Sequence, residues 1–153
     1  MRRLAVHFVL LASAMLVALL APVVQAAPAD YVGGAACARC HPAADQAWQA
    51  TAHARAAAPE VLGRHAKDAA CLTCHGTGEG ARSLPGVQCE ACHGGGVAYA
   101  AAEDLMRDRP LARALGLRDL TKDPAATCAR CHTAGGTRLG RVDYATAWKK
   151  IAH

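Results

Sequence analysis

The chain carries four copies of one short pattern, in which two cysteines separated by two residues are followed at once by a histidine. Together the copies use all 8 cysteines. The thiols are those of Cys37, Cys40, Cys71, Cys74, Cys89, Cys92, Cys128 and Cys131, and the histidines that follow them are His41, His75, His93 and His132. On one helical turn two such cysteines point the same way, so each can form a thioether to one vinyl group of a porphyrin. The histidine then lies under the ring and offers a nitrogen to the iron. The pattern therefore predicts four covalently bound c-type haems, each with a proximal histidine.

Two other uses of paired cysteines explain the pattern less well. The interval between Cys74 and Cys89 nearly matches that of a zinc ribbon, but zinc leaves four adjacent histidines unexplained. A thioredoxin-like dithiol needs one pair on a βαβ scaffold, whereas this chain has four pairs and no visible strands.

The N-terminus has the features of a secretory signal peptide. Two arginines precede an apolar stretch at residues 8–21, Pro22 breaks it, and small residues around Ala26 suit a signal peptidase. We therefore expect residues 1–26 to be removed and residues 27–153 to form one tetrahaem domain in the oxidising periplasm, where free thiols would not persist. An uncleaved anchor helix is the alternative, because the apolar stretch is nearly long enough to cross a bilayer. Cleavage would leave no stable membrane anchor.

Composition limits what can fill the interior. Hydrophobic residues make up 53% of the chain but aromatic residues only 4%, and alanine supplies much of the apolar total. We expect four porphyrins to replace the missing large side chains, within a small, mainly α-helical cytochrome with little or no β-sheet. Cleavage removes two of the 17 basic residues and none of the 12 acidic ones, which leaves a net charge of +3. Such a small excess argues against binding of nucleic acid.

Breaker and capping residues predict where the helices lie, and no stretch has the alternation typical of a strand. The predicted segments are an extended lead-in at residues 27–34, a helix at 43–58 after Pro42, a loop at 76–86, a helix at 97–107 that stops before Pro110, a helix entered through Asp123 and Pro124, and a final helix from Asp143 to His153.

An internal repeat points to additional iron ligands. The sequence Cys-Ala-Arg-Cys-His occurs at residues 37–41 and 128–132, and each copy precedes a segment that ends in Ala-Trp-x-x-x-Ala-His. A tryptophan fixed in relation to a histidine in both copies predicts that the segment packs on a porphyrin and presents His53 or His153 to an iron. On a continuous helix His41 and His53 would lie about 18 Å apart. His53 must therefore serve a haem that is attached elsewhere in the sequence.

A count of the histidines shows that one iron lacks a second one. Apart from the four proximal ligands and His7 of the signal peptide, the chain contains only His53, His65 and His153, so at most three haems of a monomer can be bis-histidinyl. The remaining iron can be five-coordinate, can take Met106, or can borrow a ligand from another subunit. The alternative roles are core packing for Met106 and a solvated surface position for His65.

The chain resembles the tetrahaem cytochromes of the cytochrome c-554 type. The resemblance rests on residues 31–34 before the first motif, on Trp48 with residues 51–54, and on residues 86–94 around the third motif. It implies a mostly helical fold with closely packed haem pairs, and a role in electron transfer.

The resemblance also implies particular distal ligands. It makes His53 distal to the third haem and His153 distal to the fourth, and it leaves the second haem five-coordinate. Members of the family usually carry a distal histidine for the first haem soon after the third motif, but residues 94–118 contain none, and Tyr99 stands in that neighbourhood. Either His65 replaces that ligand at the first haem and leaves the second open, or His65 serves the second haem and leaves the first open.

These features predict an electron carrier. Haems with two histidine ligands reorganise little on redox change and leave no position for a substrate, so a row of them conducts electrons. We expect a periplasmic protein that passes electrons between respiratory redox proteins and has no catalytic residue. One alternative is an enzyme that reduces a small nitrogen oxide or peroxide at the open iron. The other is a subunit of a cytochrome filament, in which a histidine crosses to a neighbouring subunit.

Overall fold

The computed structural model describes residues 30–78, 83–122, 124–132 and 142–153, so the predicted signal peptide lies outside the described residues. Helix accounts for 55% of the described residues and strand for 4%, and the prediction of a mainly α-helical fold is confirmed. The helices are α1 Gly34–Ala38, α2 Pro42–Gln49, α3 Pro59–Leu62, α4 Ala69–His75, α5 Cys89–His93, α6 Glu103–Arg107, α7 Arg109–Ala114, α8 Pro124–Ala129 and α9 Tyr144–Ile151. Two 3-10 turns cover His53–Arg55 and Gly63–His65. No helix in these four segments is long and apolar enough to cross a membrane.

Aspartates and prolines fix where several helices begin. Asp68, Asp108 and Asp143 each accept a hydrogen bond from a backbone N–H two or three residues on, at 2.9, 3.0 and 3.1 Å. These bonds satisfy donors that the first helical turn leaves without a partner. Helices α2, α3 and α7 have proline in the first turn, where the missing N–H costs nothing. The predicted capping role of Asp143 is confirmed, and α8 begins at Pro124 as predicted, while Asp123 lies outside the described residues.

The helix predicted over residues 43–58 is wrong in its second half, because α2 ends before Thr51. The backbone N–H and the side-chain hydroxyl of Thr51 both donate to the carbonyl oxygen of Trp48, at 2.9 and 2.7 Å. A hydroxyl that binds a carbonyl in this way competes with continued helix. The indole Nε1 of Trp48 donates to the carbonyl oxygen of Val87 at 2.9 Å, which ties the end of α2 to the segment before the third motif. His53 therefore lies in a separate 3-10 turn.

The helix predicted over residues 97–107 is also too long. Only α6 forms there, and α7 follows it as a second helix that was not predicted. The start of the segment is held to the lead-in, because Val97 N donates to the carbonyl oxygen of Asp30 at 3.2 Å. Ala102, just before α6, is extended at φ −146° and ψ 151°. Pro110 does not end a helix but lies in the first turn of α7.

One small antiparallel sheet lies between the second and third motifs. Its strands are β1 Gly76–Thr77 and β2 Leu84–Pro85. The hydroxyl of Thr77, which is fully buried, donates to a backbone carbonyl at 2.7 Å and accepts from a backbone N–H at 2.8 Å just before the third motif. Such a small amount of strand agrees with the expectation of almost none.

Few side chains are buried in the part of the chain that the structure describes. The apolar ones are Leu62, Tyr99 and Ala112, and the polar ones are Thr77 and Glu90. A small domain needs a contiguous apolar interior to offset the conformational entropy lost on folding. Such limited burial supports the expectation that porphyrin faces supply much of the interior.

A buried carboxylate connects the first and third motifs. Glu90 is 1% exposed and lies between the two cysteines of the third motif. Its Oε1 accepts hydrogen bonds from Val32 N at 2.9 Å and Gly96 N at 2.7 Å, and its Oε2 accepts from Gly33 N at 2.8 Å. Bonds to an ionised acceptor are about twice as strong as neutral ones. Glu90 thus fixes the lead-in of the first motif against α5.

Replacement of Glu90 with glutamine should destabilise the haem-loaded protein, because the amide keeps one acceptor oxygen and turns an N–H group toward a backbone N–H. We expect E90Q to lower the free energy of unfolding by about 2–3 kcal/mol. The matched control is E60Q, since Glu60 is exposed at the start of α3, and its effect should stay below about 1 kcal/mol. Chemical denaturation followed by circular dichroism measures both. Equal losses in the two variants would contradict this role for Glu90.

The chain without haem should not fold cooperatively, because its described residues bury so little apolar surface. Circular dichroism of protein expressed without haem attachment should show weak helicity and no sharp thermal transition. Haem-loaded protein measured in parallel should melt cooperatively. A native-like melt of the haem-free chain would contradict the expectation.

Candidate haem-binding site

All four cysteine motifs lie on helices or at their ends. Helices α4 and α5 contain the whole second and third motifs, whereas α1 and α8 contain only Cys37 and Cys128, and Cys40 and Cys131 follow the helix ends. A helical turn brings two such thiols to one side. All eight cysteines are unpaired, and only Cys40 is exposed, the others being half-buried. This placement suits the attachment of both vinyl groups of a porphyrin.

Thiols of different motifs are neighbours in two pairs. A hydrogen bond with Cys89 raises the pKa of the Cys37 thiol, and the same bond lowers the pKa of Cys89 to about 7. Burial, followed by the neighbouring Cys74, raises the pKa of Cys131 to about 11. The first motif therefore lies beside the third, and the second beside the fourth.

The third and fourth motifs are also close. Burial, followed by the Cys128 thiol, raises the pKa of Cys92. The four motifs thus follow one another in space in the order first, third, fourth and second, which differs from their order in the sequence.

The ring of His53 lies beside that of His132 in the fourth motif. Their centroids are 6.1 Å apart and their planes are inclined by 62°. Metal–imidazole bonds are about 2 Å long, so two imidazoles on opposite sides of one metal have centroids about 6 Å apart. Burial, followed by His132, lowers the pKa of His53, which favours the neutral ring that binds a metal. Nδ1 of His132 is buried and has no hydrogen-bond partner among the described residues.

A second pair of rings has the same spacing. The centroids of His93 and His153 are 6.0 Å apart, with 55° between their planes. Burial lowers the pKa of His93, and His153, His41 and Arg109 lower it further. This pair fits the two axial positions of one haem attached in the third motif.

The two pairs reverse the distal ligands that the resemblance implied. His53 faces the fourth motif rather than the third, and His153 faces the third rather than the fourth, so the placement of the rings favours a different pairing. The reason lies in α9, where the hydroxyl of Tyr144 donates to the carbonyl oxygen of His132 at 2.8 Å. The 8 residues of α9 then span about 12 Å and carry His153 away from the fourth motif.

The repeated segments face each other. A cavity of about 370 Å³ is lined by the equivalent residues Ala47 of α2 and Ala147 of α9, together with His53. Small side chains beside a histidine leave room for a flat porphyrin. The pattern that predicted packing on haem therefore has a matching cavity in the structure.

The second motif has its own supporting contacts. Nδ1 of His75 lies 2.6 Å from the carbonyl oxygen of Ala56. Histidine ligands usually donate one ring N–H to such an acceptor, which leaves Nε2 for a metal. A cavity of about 220 Å³ is lined by His75, by both cysteines of the motif, Cys71 and Cys74, and by His65. The structure thus places His65 at the second motif rather than the first.

The remaining predicted residues lie elsewhere. His41 is exposed at the start of α2, and Met106 is half-buried in α6. Tyr99 is buried, its hydroxyl donates to the carbonyl oxygen of Gly94 at 2.8 Å, and burial raises its pKa. The hydroxyl of Tyr99 is therefore engaged in a hydrogen bond within the protein.

Two supporting groups were missed in the sequence: the carboxylate of Glu90 and the carbonyl of Ala56. Only Glu90 left a signal, as an acidic residue between two cysteines that attach haem. Ala56 acts through a contact with His75 that the local sequence does not reveal.

Residues 36–94, which hold the first three motifs, match a family model described as cytochrome c554 and c-prime. This segment is therefore similar to that family. No curated protein and no solved structure matches the chain. The resemblance seen in the sequence is confirmed, and this cytochrome is a haem c-type electron-transfer protein.

The side chains of the cytochrome fit c-type haem. Paired thiols on helical turns suit the two thioether bonds, and imidazole pairs about 6 Å apart suit the axial positions of an iron. The bound iron supplies one-electron redox chemistry. The chain supplies neutral imidazoles and holds them in place through neighbouring hydrogen bonds.

Removal of either distal histidine should open one iron. We expect H53A and H153A each to convert about one quarter of the ferric haem from low spin to high spin, since each removes a ligand from one of four haems. Electron paramagnetic resonance at low temperature measures this fraction. K149A is the matched control, because Lys149 is exposed on α9, and it should leave the spectrum unchanged.

The ligand pairing has a separate test in the reduced, diamagnetic protein. Nuclear Overhauser contacts should join the ring protons of His53 to the haem bonded at Cys128 and Cys131. The ring protons of His153 should likewise show nuclear Overhauser contacts to the haem bonded in the third motif. Contacts between His53 and the third haem would contradict the pairing.

Proposed function

We propose that this cytochrome is a periplasmic tetrahaem electron carrier that passes electrons between respiratory redox proteins. The observation that carries the proposal is the pair of imidazole contacts at 6.1 and 6.0 Å, each between a proximal histidine and a histidine from a distant segment. An iron with both axial positions filled exchanges electrons and has no position for a substrate. Such irons suit a conductor rather than a catalyst.

The number of haems follows from the four motifs. Every motif has two unpaired cysteines and a histidine, and all eight thiols lie on or just after helices. The neighbouring thiols of the first and third, third and fourth, and fourth and second motifs support one continuous row of haems. Electrons would pass along this row in steps between adjacent haems.

The surface charge favours protein partners over nucleic acid. Each ferric haem adds about −1, from two propionates against one positive centre. Four haems would therefore bring the processed chain from +3 to about −1. Attraction to a redox partner must then come from local patches, such as the exposed Lys149 and Lys150 on α9. Export by the predicted signal peptide places these encounters in the periplasm.

An enzyme is the second candidate, and the histidine count is the observation that favours it. With three distal histidines for four irons, one iron keeps an axial position for a small nitrogen oxide or peroxide. We nevertheless propose a carrier with no catalytic residue, because an open position alone supplies no proton donor or acceptor. A cytochrome filament is the third candidate, in which a histidine of one subunit crosses to a haem of its neighbour.

The proposal is tested with the full chain expressed together with a haem-attachment system. The mass of the purified protein should correspond to residues 27–153 plus four haems, and the protein should appear in the periplasmic fraction. Reduced protein should transfer all four electrons rapidly to an artificial acceptor, and should turn over nitrite, hydroxylamine and peroxide slowly by comparison.

C71A/C74A is the control for the haem count, since it removes the attachment site of one haem. It should lower the mass by one haem. A colourless protein, a zinc-loaded protein, or another haem number in the wild type would contradict the tetrahaem carrier. Sustained turnover at a rate matching electron transfer would favour the enzyme instead.

A further inference from the structure

We propose that His65 is the second axial ligand of the haem attached at Cys71 and Cys74, so that the haem on His41 is the one without a second histidine. The inference rests on the proposed tetrahaem function and names which of the four irons is open. It departs from the resemblance, which implied that the second haem is five-coordinate.

His65 shares a cavity with the second motif. His65 lines the same cavity as Cys71, Cys74 and His75, which are the complete attachment set of the second haem. The apolar side chains of Val61 and Leu62 from α3 complete its wall. Among the described residues, the proximal histidines of the first and second motifs have no other histidine ring in contact with them. Of these two motifs, the second is the one that has His65 beside it.

The path of the backbone allows His65 to approach the second motif. On a continuous helix His65 and His75 would lie about 15 Å apart and could not bind one iron. No continuous helix joins them, because the 3-10 turn Gly63–His65 ends at His65 and Asp68, just before α4, is extended at φ −78° and ψ 115°. Asp68 N donates to the carbonyl oxygen of His65 at 2.9 Å, and Asp68 then caps α4, which carries the motif. This reversal brings His65 back over α4.

The two ring nitrogens of His65 have different neighbours. Nε of Arg64 donates to Nε2 of His65 at 3.2 Å, so Nε2 is the acceptor nitrogen of the ring. Nδ1 lies 3.7 Å from Oδ2 of Asp68. The imidazole thus has one nitrogen, Nε2, that acts as an acceptor, and a carboxylate that lies near the other nitrogen. Arg64 is exposed and can release Nε2 when haem enters.

The first motif is left without a second histidine. His53 faces His132 and His153 faces His93, and neither histidine is then left for another iron. With His65 at the second motif, no histidine of the mature sequence remains for the iron on His41. The open iron would lie in the exposed first motif.

The test counts open irons by titration of the fully reduced holoprotein with carbon monoxide. We expect one carbon monoxide per four haems in the wild type and two in H65A, with the high-spin ferric fraction rising from about a quarter to about a half. K67A is the matched control, because Lys67 is exposed in the same segment and does not contact the imidazole in the proposal, and this variant should bind one carbon monoxide per four haems.

A second variant locates the iron that His65 serves. Val61 is 51% exposed, so V61F is expected to fold while its ring narrows the cavity at the second motif. In the H65A background V61F should slow one of the two phases of carbon monoxide binding several-fold. In the wild-type background it should leave binding unchanged, because the open iron lies at the first motif.

Each outcome decides the matter. Two carbon monoxide molecules on the wild type, or one on H65A, would overturn His65 as a ligand. Slower binding to V61F in the wild-type background, or no slowed phase in H65A, would place His65 on another haem. A haem count other than four would refute the proposed function, and that count is measured by mass before the titration.

Discussion

The two imidazole pairs impose the constraint on which the rest of the structure depends. His53 and His132 lie 79 residues apart in the sequence, and His93 and His153 lie 60 residues apart, yet each pair must hold a spacing of about 6 Å. Iron bonds at these pairs would act as cross-links that close long loops, which would reduce the entropy of the unfolded chain. A chain with so few buried apolar side chains needs such cross-links, together with the porphyrin faces, to become compact.

The third motif is the centre to which the other segments are tied. The lead-in reaches it through Glu90, α2 through the bond from Trp48 to Val87, and the small sheet through Thr77. Arg118 N donates to the carbonyl oxygen of His93 at 2.9 Å from the following segment. Polar contacts to backbone groups therefore set the relative positions of motifs that apolar packing alone would leave loose. This explains why the most buried large side chain is a carboxylate.

The sequence predicted those features that depend on local chemistry. The attachment motifs, the mainly helical content and the cap at Asp143 each follow from a few adjacent residues. The end of α2 could not be predicted, because it depends on Thr51 and on a bond from Trp48 to a segment far along the chain. The pairing of His153 with His93 depends on where α9 begins, which is fixed by the hydrogen bond from Tyr144 to the carbonyl oxygen of His132. Such long-range contacts have no local signature.

The spatial order of the motifs bears on how an open iron affects conduction. The third and fourth motifs lie in the middle of the row, and they are the ones whose proximal histidines have a partner ring at 6.0 and 6.1 Å. The first and second motifs lie at the ends, where His41 and His65 are exposed to approaching proteins. An iron with a single histidine changes its coordination more readily on reduction and exchanges electrons more slowly than a bis-histidinyl one. At the first motif it would occupy an end of the row rather than interrupt the middle. The proposed arrangement thus preserves rapid transfer between the central haems, and it places the slowest step at one end of the row.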